Sequence, residues 1–343
     1  MRIVITGATG NAGTALLRRL AAAKTDGEDL QIVGISRRPP ESLVPPYLGV
    51  EWRKVDIGRP EAVPRLEVLL QGADAVVHLA WQIQPNHRLV ELFRTNVTGT
   101  ANVLTAAGRA GVGHFVCASS VGSYSRADKD RRVAEDWPVD GIPGSHYSEH
   151  KARQEALLTE FEADYPAIIV ARLRPGLIFQ EDAGSEIGRY FLGSLIPRVL
   201  PPKPRIPVLP VPPEFVFQAV HADDVADAYW RVLKRRASGA FNVAAEPVLD
   251  PNALGWLLGA RRTLPLPLAV LRTVVELAWR ARLQPTDAGW VDMAAGAPIM
   301  DTTKAREELG WSPGRSSLQA IADVLAGLGR GAGVAGSPPL QAR

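Results

Sequence analysis

The residues "VITGATGNAGTALL" (4–17) constrain this chain more than any other stretch. Gly7, Gly10 and Gly13 recur every third residue. Before them stands a β-branched run, "MRIVIT"; after them Ala15, Leu16, Leu20 and Ala23 fall at helical spacing. The pattern reads as buried strand, tight turn, helix. Glycine accepts a positive φ and lets another backbone or a ligand come close. A helix N-terminus offers unpaired N–H groups and a partial positive charge, which suit a pyrophosphate. The loop therefore predicts a dinucleotide site formed by Gly7, Thr9, Gly10, Asn11, Ala12 and Gly13. An ordinary βα turn could share this pattern, and the spacing is GxxGxxG rather than the GxGxxG of the common fingerprint.

The following residues repeat the strand-then-helix alternation. Strands are predicted at 2–6, 31–36, 50–55, 74–79, 114–119 and 167–173, and helices near 12–23, 61–71, 88–110 and 146–164. Alternation over this length predicts an α/β fold, a Rossmann-type doubly wound parallel sheet. Right-handed crossovers then gather the strand C-termini, and any ligand, at one edge. The texture changes after Pro175. Residues 197–213 carry eight prolines and read as an extended wall or lid. Strand and helix patterns near 215–245 return to the sheet, and 266–283 reads as an amphipathic helix packed over a pocket. The division expected is a dinucleotide-binding domain over 1–176, a smaller substrate-binding domain over 177–328, and a disordered Gly/Pro-rich tail over 329–343.

Composition narrows the partners. Lys and Arg exceed Asp and Glu by only 3 in 343 residues and are scattered, so no nucleic-acid surface is indicated. The single cysteine, Cys117, lies in an apolar strand and reads as a small buried hydrophobe. No apolar run reaches the ~18 residues of a membrane span, and no cleavable leader pattern opens the chain. A cytoplasmic location, no membrane, no metal and a small-molecule substrate are expected.

Two further stretches carry chemistry. In "SHYSEHK", Tyr147 and Lys151 lie four apart and share a helix face. An ammonium near a phenol favours the phenolate, so the pair could pass a proton to or from a substrate oxygen. In "HFVCASSVGSYS", the strand ends at Ser119 and Ser120, where a hydroxyl could hold the same oxygen or merely cap a turn. Taken alone, a Tyr four before a Lys is common by chance.

In combination, "TGATGNAG", "DAVVHLA", "NVTGTANVL", "CASSVGSYS", "YSEHK" and "RLRPGLIF" occur in the order and spacing of extended short-chain dehydrogenases/reductases. The chain resembles the NAD-dependent epimerase/dehydratase branch, and "AVHADDVADAYWRVL", "GAFNVAAEP" and "TTKAREELGWSP" extend the likeness over all but the tail. The resemblance implies Tyr147 as general acid/base, Lys151 as its pKa-lowering partner and ribose ligand, and Ser120 as the substrate-orienting hydroxyl. It implies Asn96 as the structural asparagine of the central helix. Asp56, followed by Ile57, would stand beside the adenine, Leu79 and Ala80 along the cofactor, and Pro175 and Gly176 under the nicotinamide. It also implies a homodimer through the helices at 88–110 and 146–164.

Cofactor and substrate class rest on departures from the family pattern. Strand two ends in Ser36, Arg37 and Arg38 where an acid would accept the ribose 2′-OH. Two cations suit a 2′-phosphate, which favours NADP(H) while leaving NAD(H) possible. Val121 and Gly122 replace the acidic pair of the sugar-nucleotide dehydratases, and Phe217 stands where epimerases carry an arginine for pyrophosphate. Trp81, Val121, Phe191 and Phe217, with Leu195 and Ile196, suggest an apolar pocket. The reading is an oxidoreductase on a carbonyl or secondary alcohol of a mostly apolar molecule. A sugar-nucleotide epimerase using Arg198 or Arg205 as a substitute anchor is the alternative, and a non-catalytic NADP sensor a second.

Overall fold

The computed structural model describes residues 1–84, 86–192 and 207–342. Its first half contains β1 (Arg2–Thr6), β2 (Gln31–Ser36), β3 (Glu51–Lys54), β4 (Ala75–His78) and β5 (His114–Ala118). The remaining strands are β6 (Arg132–Val133), β7 (Ile169–Pro175), β8 (Leu177–Phe179), β9 (Val208–Val211), β10 (Ala219–His221), β11 (Gly239–Val243), β12 (Arg262–Pro265) and β13 (Ile299–Met300). Seven strands form one parallel sheet in the order β11-β7-β5-β4-β1-β2-β3. Ile3, Val4 and Ile5 of β1 are fully buried between β2 and β4, as a central strand covered on both faces requires. Strand order reverses between β1 and β4, and a doubly wound sheet opens a crevice at such a reversal.

Helices cover both faces. On one, α1 (Asn11–Thr25) packs its Leu16, Leu17 and Leu20 near Val225 and Tyr229 of α7 (Ala222–Arg235). On the other lie α2 (Ala62–Leu70), α3 (Leu89–Phe93), α4 (Gly99–Ala110) and α5 (His146–Asp164), with Leu66, Val103, Leu158 and Phe161 inward. The single helix expected over 88–110 is interrupted: Arg94–Thr98 forms a π-helical turn. That turn carries Asn96 inward, and such widened turns often accompany functional loops.

The later helices are α6 (Gly184–Ile187), α8 (Pro251–Leu257), α9 (Leu268–Arg280), α10 (Gly289–Gly296), α11 (Thr303–Leu309) and α12 (Ser317–Arg330). They gather mostly at the strand C-termini, except α11, which packs on α7 and β11. β8 pairs with β10 and β9 with β12, all in parallel. The proline-rich stretch is partly a strand: Val208–Val211 pairs in a two-stranded ribbon, where Pro210 need not donate to a central ladder. Leu195, Ile196, Arg198 and Arg205 lie outside the described residues. Leu271 and Val275 of α9 face the cleft, while Val270, Val274 and Leu277 are exposed.

The tail corrects an expectation. Composition alone predicts disorder over 329–343, yet Val334, Ser337 and Leu340 are buried and hydrogen-bonded. Val334 and Leu340 join the core cluster of Tyr47 and Val50. Tertiary burial outweighs the entropy that Gly and Pro content suggested.

Candidate active site

A cleft of about 1310 Å³ runs along the C-terminal edge of the sheet. Its floor begins with the glycine loop. Gly7 has φ +73°, and a Cβ there would lie 2.6 Å from the Ala80 nitrogen. A Cβ on Gly13 would lie 2.4 Å from the Gly7 carbonyl oxygen. Both positions exclude any side chain for internal reasons. Gly10 differs: a Cβ there would meet only the Gly7 oxygen, at 3.5 Å. Gly10 caps the N-terminus of α1 with no side-chain cap, so a side chain would fill a cradle that is otherwise open to the cleft. Such a cradle fits a pyrophosphate. Thr9, Asn11, Ala12, Leu79, Ala80, Ser119, Pro175 and Gly176 line the same cleft.

At the end of β2, Arg37 and Arg38 also line it. The Ser36 hydroxyl accepts from the Arg38 N–H at 3.2 Å and stands 3.3 Å from the Thr9 hydroxyl. Asp56 and Asn96 stand outside the lining of the cleft, while Val55 and Ile57 belong to it. The Asp56 carboxylate is held by Arg59 and Arg94, each at 3.5 Å, and by the Gly58 N–H at 3.1 Å. Asn96 acts one layer behind. Its side chain grips the Gln82 backbone at both ends, at 2.8 Å each, and so fixes the loop after β4.

Ser120, Tyr147 and Lys151 come together over that loop. Ser145 caps α5, its hydroxyl accepting from the Ser148 N–H, which sets Tyr147 and Lys151 on the inward face. The Tyr147 ring meets Trp81 edge-on at 5.8 Å and Trp290 at 5.0 Å between centroids. The Lys151 ammonium donates to the Ala118 carbonyl at 2.7 Å and to Gln154 at 2.9 Å, and lies 3.5 Å from the Trp81 ring centre. Burial pushes the Lys151 pKa down to about 7, against the opposing pull of Cys117 and Glu155. The Tyr147 phenol is raised, by burial first, with a Ser120 hydrogen bond working the other way. In this arrangement the aromatic surroundings desolvate the phenol, while the ammonium is engaged by Ala118 and Gln154.

The Ser119 hydroxyl points away, donating to Glu155 at 2.5 Å. Cys117 is fully buried and its thiol is pushed up to about 12 by that burial, as a packing residue should be.

Much of the rest of the cleft is apolar. Val121, Phe191, Phe217, Leu254, Leu271 and Met293 contribute to it. Phe191 meets Trp290 at 4.9 Å, near perpendicular. The polar side chains here are spent on the protein itself: Gln84 donates to the Tyr190 and Pro285 carbonyls, and Gln218 to Met300. Among the described residues, the cations lining the cleft are Arg37, Arg38 and Lys151. Trp290, Glu186 and Tyr190 were not anticipated. Burial pushes the Glu186 carboxyl up to about 7, opposed by the Tyr190 hydroxyl, which donates to it at 2.9 Å. No local motif marks these residues, since their position depends on how the later segments fold back. Among the described residues no cluster of His, Cys, Asp and Glu could hold a metal, and no helix is long and apolar enough to cross a membrane.

The comparisons agree with this architecture. An uncharacterised protein of Mycobacterium tuberculosis (strain ATCC 25618 / H37Rv) is 28% identical over 96% of this chain and 30% of its own length. The chain thus spans about 30% of the length of that curated relative. A putative dihydroflavonol 4-reductase of Synechocystis is 26% identical over 94% of this chain and 92% of that one. Among solved structures, a Thermus thermophilus UDP-glucose 4-epimerase in complex with NAD superposes with a TM-score of 0.66 at 21% identity, over 96% and 99% of the two chains. The family model for the NAD dependent epimerase/dehydratase family matches residues 3–244. With the sheet order, the glycine cradle and this match in agreement, the chain belongs to the NAD dependent epimerase/dehydratase family.

Proposed function

We propose that the chain is an NAD(P)-dependent oxidoreductase that interconverts a carbonyl and a secondary alcohol on a mostly apolar small molecule. The observation that carries this reading is the distribution of charge in the cleft. Its three cations among the described residues belong to the glycine-loop side and the Tyr–Lys pair, and the far half offers Phe, Leu, Met and Trp surfaces. A pyrophosphate in that half would lose its water with no cation among the described residues in return. An apolar ligand would gain roughly 25 cal/mol per Å² removed from water. The relative named a putative dihydroflavonol 4-reductase, 26% identical over nearly its whole length, supports the reductase reading.

A nicotinamide dinucleotide laid along the glycine loop would supply or accept the hydride. The chain's own residues do the rest. Tyr147 carries the proton at its phenolic oxygen and gives it to, or takes it from, the substrate oxygen. Ser120 orients that oxygen, Lys151 adds positive charge behind the phenol, and Trp81 and Trp290 keep water from the ring faces. Ser36, Arg37 and Arg38 support a preference for NADP(H). The Arg37→Asp variant should lose NADP(H) affinity selectively by about 1.5–3 kcal/mol, the worth of a hydrogen bond to a charged group. An unchanged NADP/NAD affinity ratio would remove that assignment.

The decisive test is a binding panel with cofactor present: UDP, dTDP and their sugars against hydrophobic ketones and alcohols. Binding and cofactor-linked turnover should appear with the apolar compounds. Micromolar affinity for a sugar nucleotide would overturn the reading and promote the epimerase alternative.

A further inference from the structure

The segment after α12 touches three walls of the dinucleotide end of the cleft. Gly331, with φ 63°, ends α12 and turns the chain back. The next residues close on themselves: the Val334 N–H donates to the Leu340 carbonyl at 2.8 Å and the Ser337 N–H to the Val334 carbonyl at 3.1 Å. Leu340 is fully buried, which anchors this small loop. The first wall is the glycine loop. The fully buried Ser337 donates its hydroxyl to the Thr9 carbonyl at 2.8 Å. The second is the loop after β2. The Glu41 N–H donates to the Gly336 carbonyl at 3.1 Å, and a Cβ on Gly336 would lie 2.8 Å from the Ser42 oxygen. The third is the 184–190 segment. Arg189 donates to the Pro339 carbonyl at 2.7 Å and the Gln341 carbonyl at 2.9 Å, and Ser185 N–H to the Ala332 carbonyl at 3.2 Å. Pro339 itself lines the cleft, as do Glu186, Tyr190 and Arg38.

These contacts converge on one corner. Ser337 holds the carbonyl of Thr9, and the Thr9 hydroxyl stands 3.3 Å from the Ser36 hydroxyl, next to the two arginines. The loop that would cradle the phosphates and the loop that would read the ribose are thus tied together by a segment 328 positions from Thr9 and 295 from Glu41 in sequence. We propose that residues 331–342 form a clasp that positions the adenosine end of the cofactor site, with Ser337 as its positioning residue and Arg189 holding the clasp shut. The proposal rests on the chain binding a nicotinamide dinucleotide. It adds a requirement that neither the glycine motif nor the Tyr–Lys pair contains.

The test compares the full chain with a variant ending at Arg330 and with Ser337→Ala and Arg189→Met. Calorimetry would measure NADPH and adenosine 2′,5′-bisphosphate, a probe of the adenosine half alone, and thermal melting would report folding. The truncated protein should bind both ligands about tenfold more weakly or worse, by the same factor, and Ser337→Ala a few-fold more weakly. An equal loss for the whole cofactor and its adenosine fragment, in variants that melting shows to be fully folded at the titration temperature, assigns the loss to the adenosine half, since a reduced folded fraction is then excluded. If the truncated protein does not fold, the two point variants decide, on the same ligands. Affinities within about twofold of the full chain in folded variants would overturn the clasp. A full chain that binds neither NADPH, NADH nor the fragment would overturn the cofactor reading and the clasp with it.

Discussion

Tyr147 and Lys151 concentrate the residue-scale argument, because their environment is costly. A phenol raised by burial stays protonated near neutral pH, so it keeps the proton that general acid catalysis would deliver, but it releases that proton less readily than a free phenol. The variant Tyr147→Phe should lower turnover by ~10²–10⁴-fold, the usual worth of general acid catalysis, with cofactor affinity unchanged. Steady-state rates alongside a cofactor titration check this, and activity within about threefold of wild type would take Tyr147 out of its role. Lys151 makes a second prediction. Its pKa falls from 10.5 unfolded to about 7 folded, so between these values the unfolded chain binds the extra proton. Stability therefore rises with pH across that window, and the cost of burying the ammonium is fully present below it. Lys151→Met should melt higher than wild type at pH 7 without cofactor, with the gap narrowing towards pH 10. A lower melting temperature at pH 7 would show that the ammonium's contacts with Ala118, Gln154 and Trp81 outweigh its desolvation.

At the scale of elements, what holds α5 to the sheet is a buried ion cluster. Glu155 of α5 accepts from Arg174 at 2.8 and 3.0 Å, from Arg172 at 3.2 Å and from Ser119 at 2.5 Å. Glu155 is 1% exposed, so α5, β5 and β7 meet at an almost dry carboxylate. Burial pushes its carboxyl up, but the Arg174 bonds and the charges of Arg174 and Arg172 bring it below its ordinary 4.5. Its stabilising contribution is therefore present above about 4.5 and lost as the pH falls through the lower folded value. Glu155→Gln leaves two arginines facing a neutral group and should cost ~3–5 kcal/mol at pH 7, as broken buried pairs do. Urea unfolding at pH 7 and again in acid checks both parts: the difference from wild type should shrink as the pH falls below that value.

For the whole molecule, the resemblance implies a homodimer through α4 and α5, and the surface beside them supports it. Leu89, Val90 and Phe93 of α3 are exposed, Val90 at 85%, and Phe93 packs edge-on against His150 of α5. A solvent-facing apolar ridge beside two long helices suits a self-complementary interface. Light scattering should give twice the 36.9 kDa chain mass for the wild type and the single mass for Val90→Asp combined with Phe93→Asp. A wild-type monomer at micromolar concentration would remove this expectation.

The chain fixed its parallel sheet locally. The β-branched run of β1, the glycine spacing and the helical pattern of α1 are neighbours in sequence, and each dictates backbone geometry without distant help. The Tyr147/Lys151 face was legible for the same reason, since four residues on a helix always share a side. Other features came only from packing. Asp56 reads as an adenine partner by motif, and only the packing shows that Arg59 and Arg94 flank its carboxylate. Lys151 stands four residues from the phenol, yet its ammonium bonds Ala118 and Gln154 and sits against Trp81, whose place depends on Asn96 gripping the next loop. Trp290 reaches Tyr147 from a helix that lies 143 positions later, and the tail reaches Thr9 across almost the whole chain. Sequence pattern carries the periodicity of strands and helices and the conformational freedom of glycine. It does not carry the pairing of charges or the burial of a Gly/Pro-rich segment, because those energies exist only once distant surfaces have met.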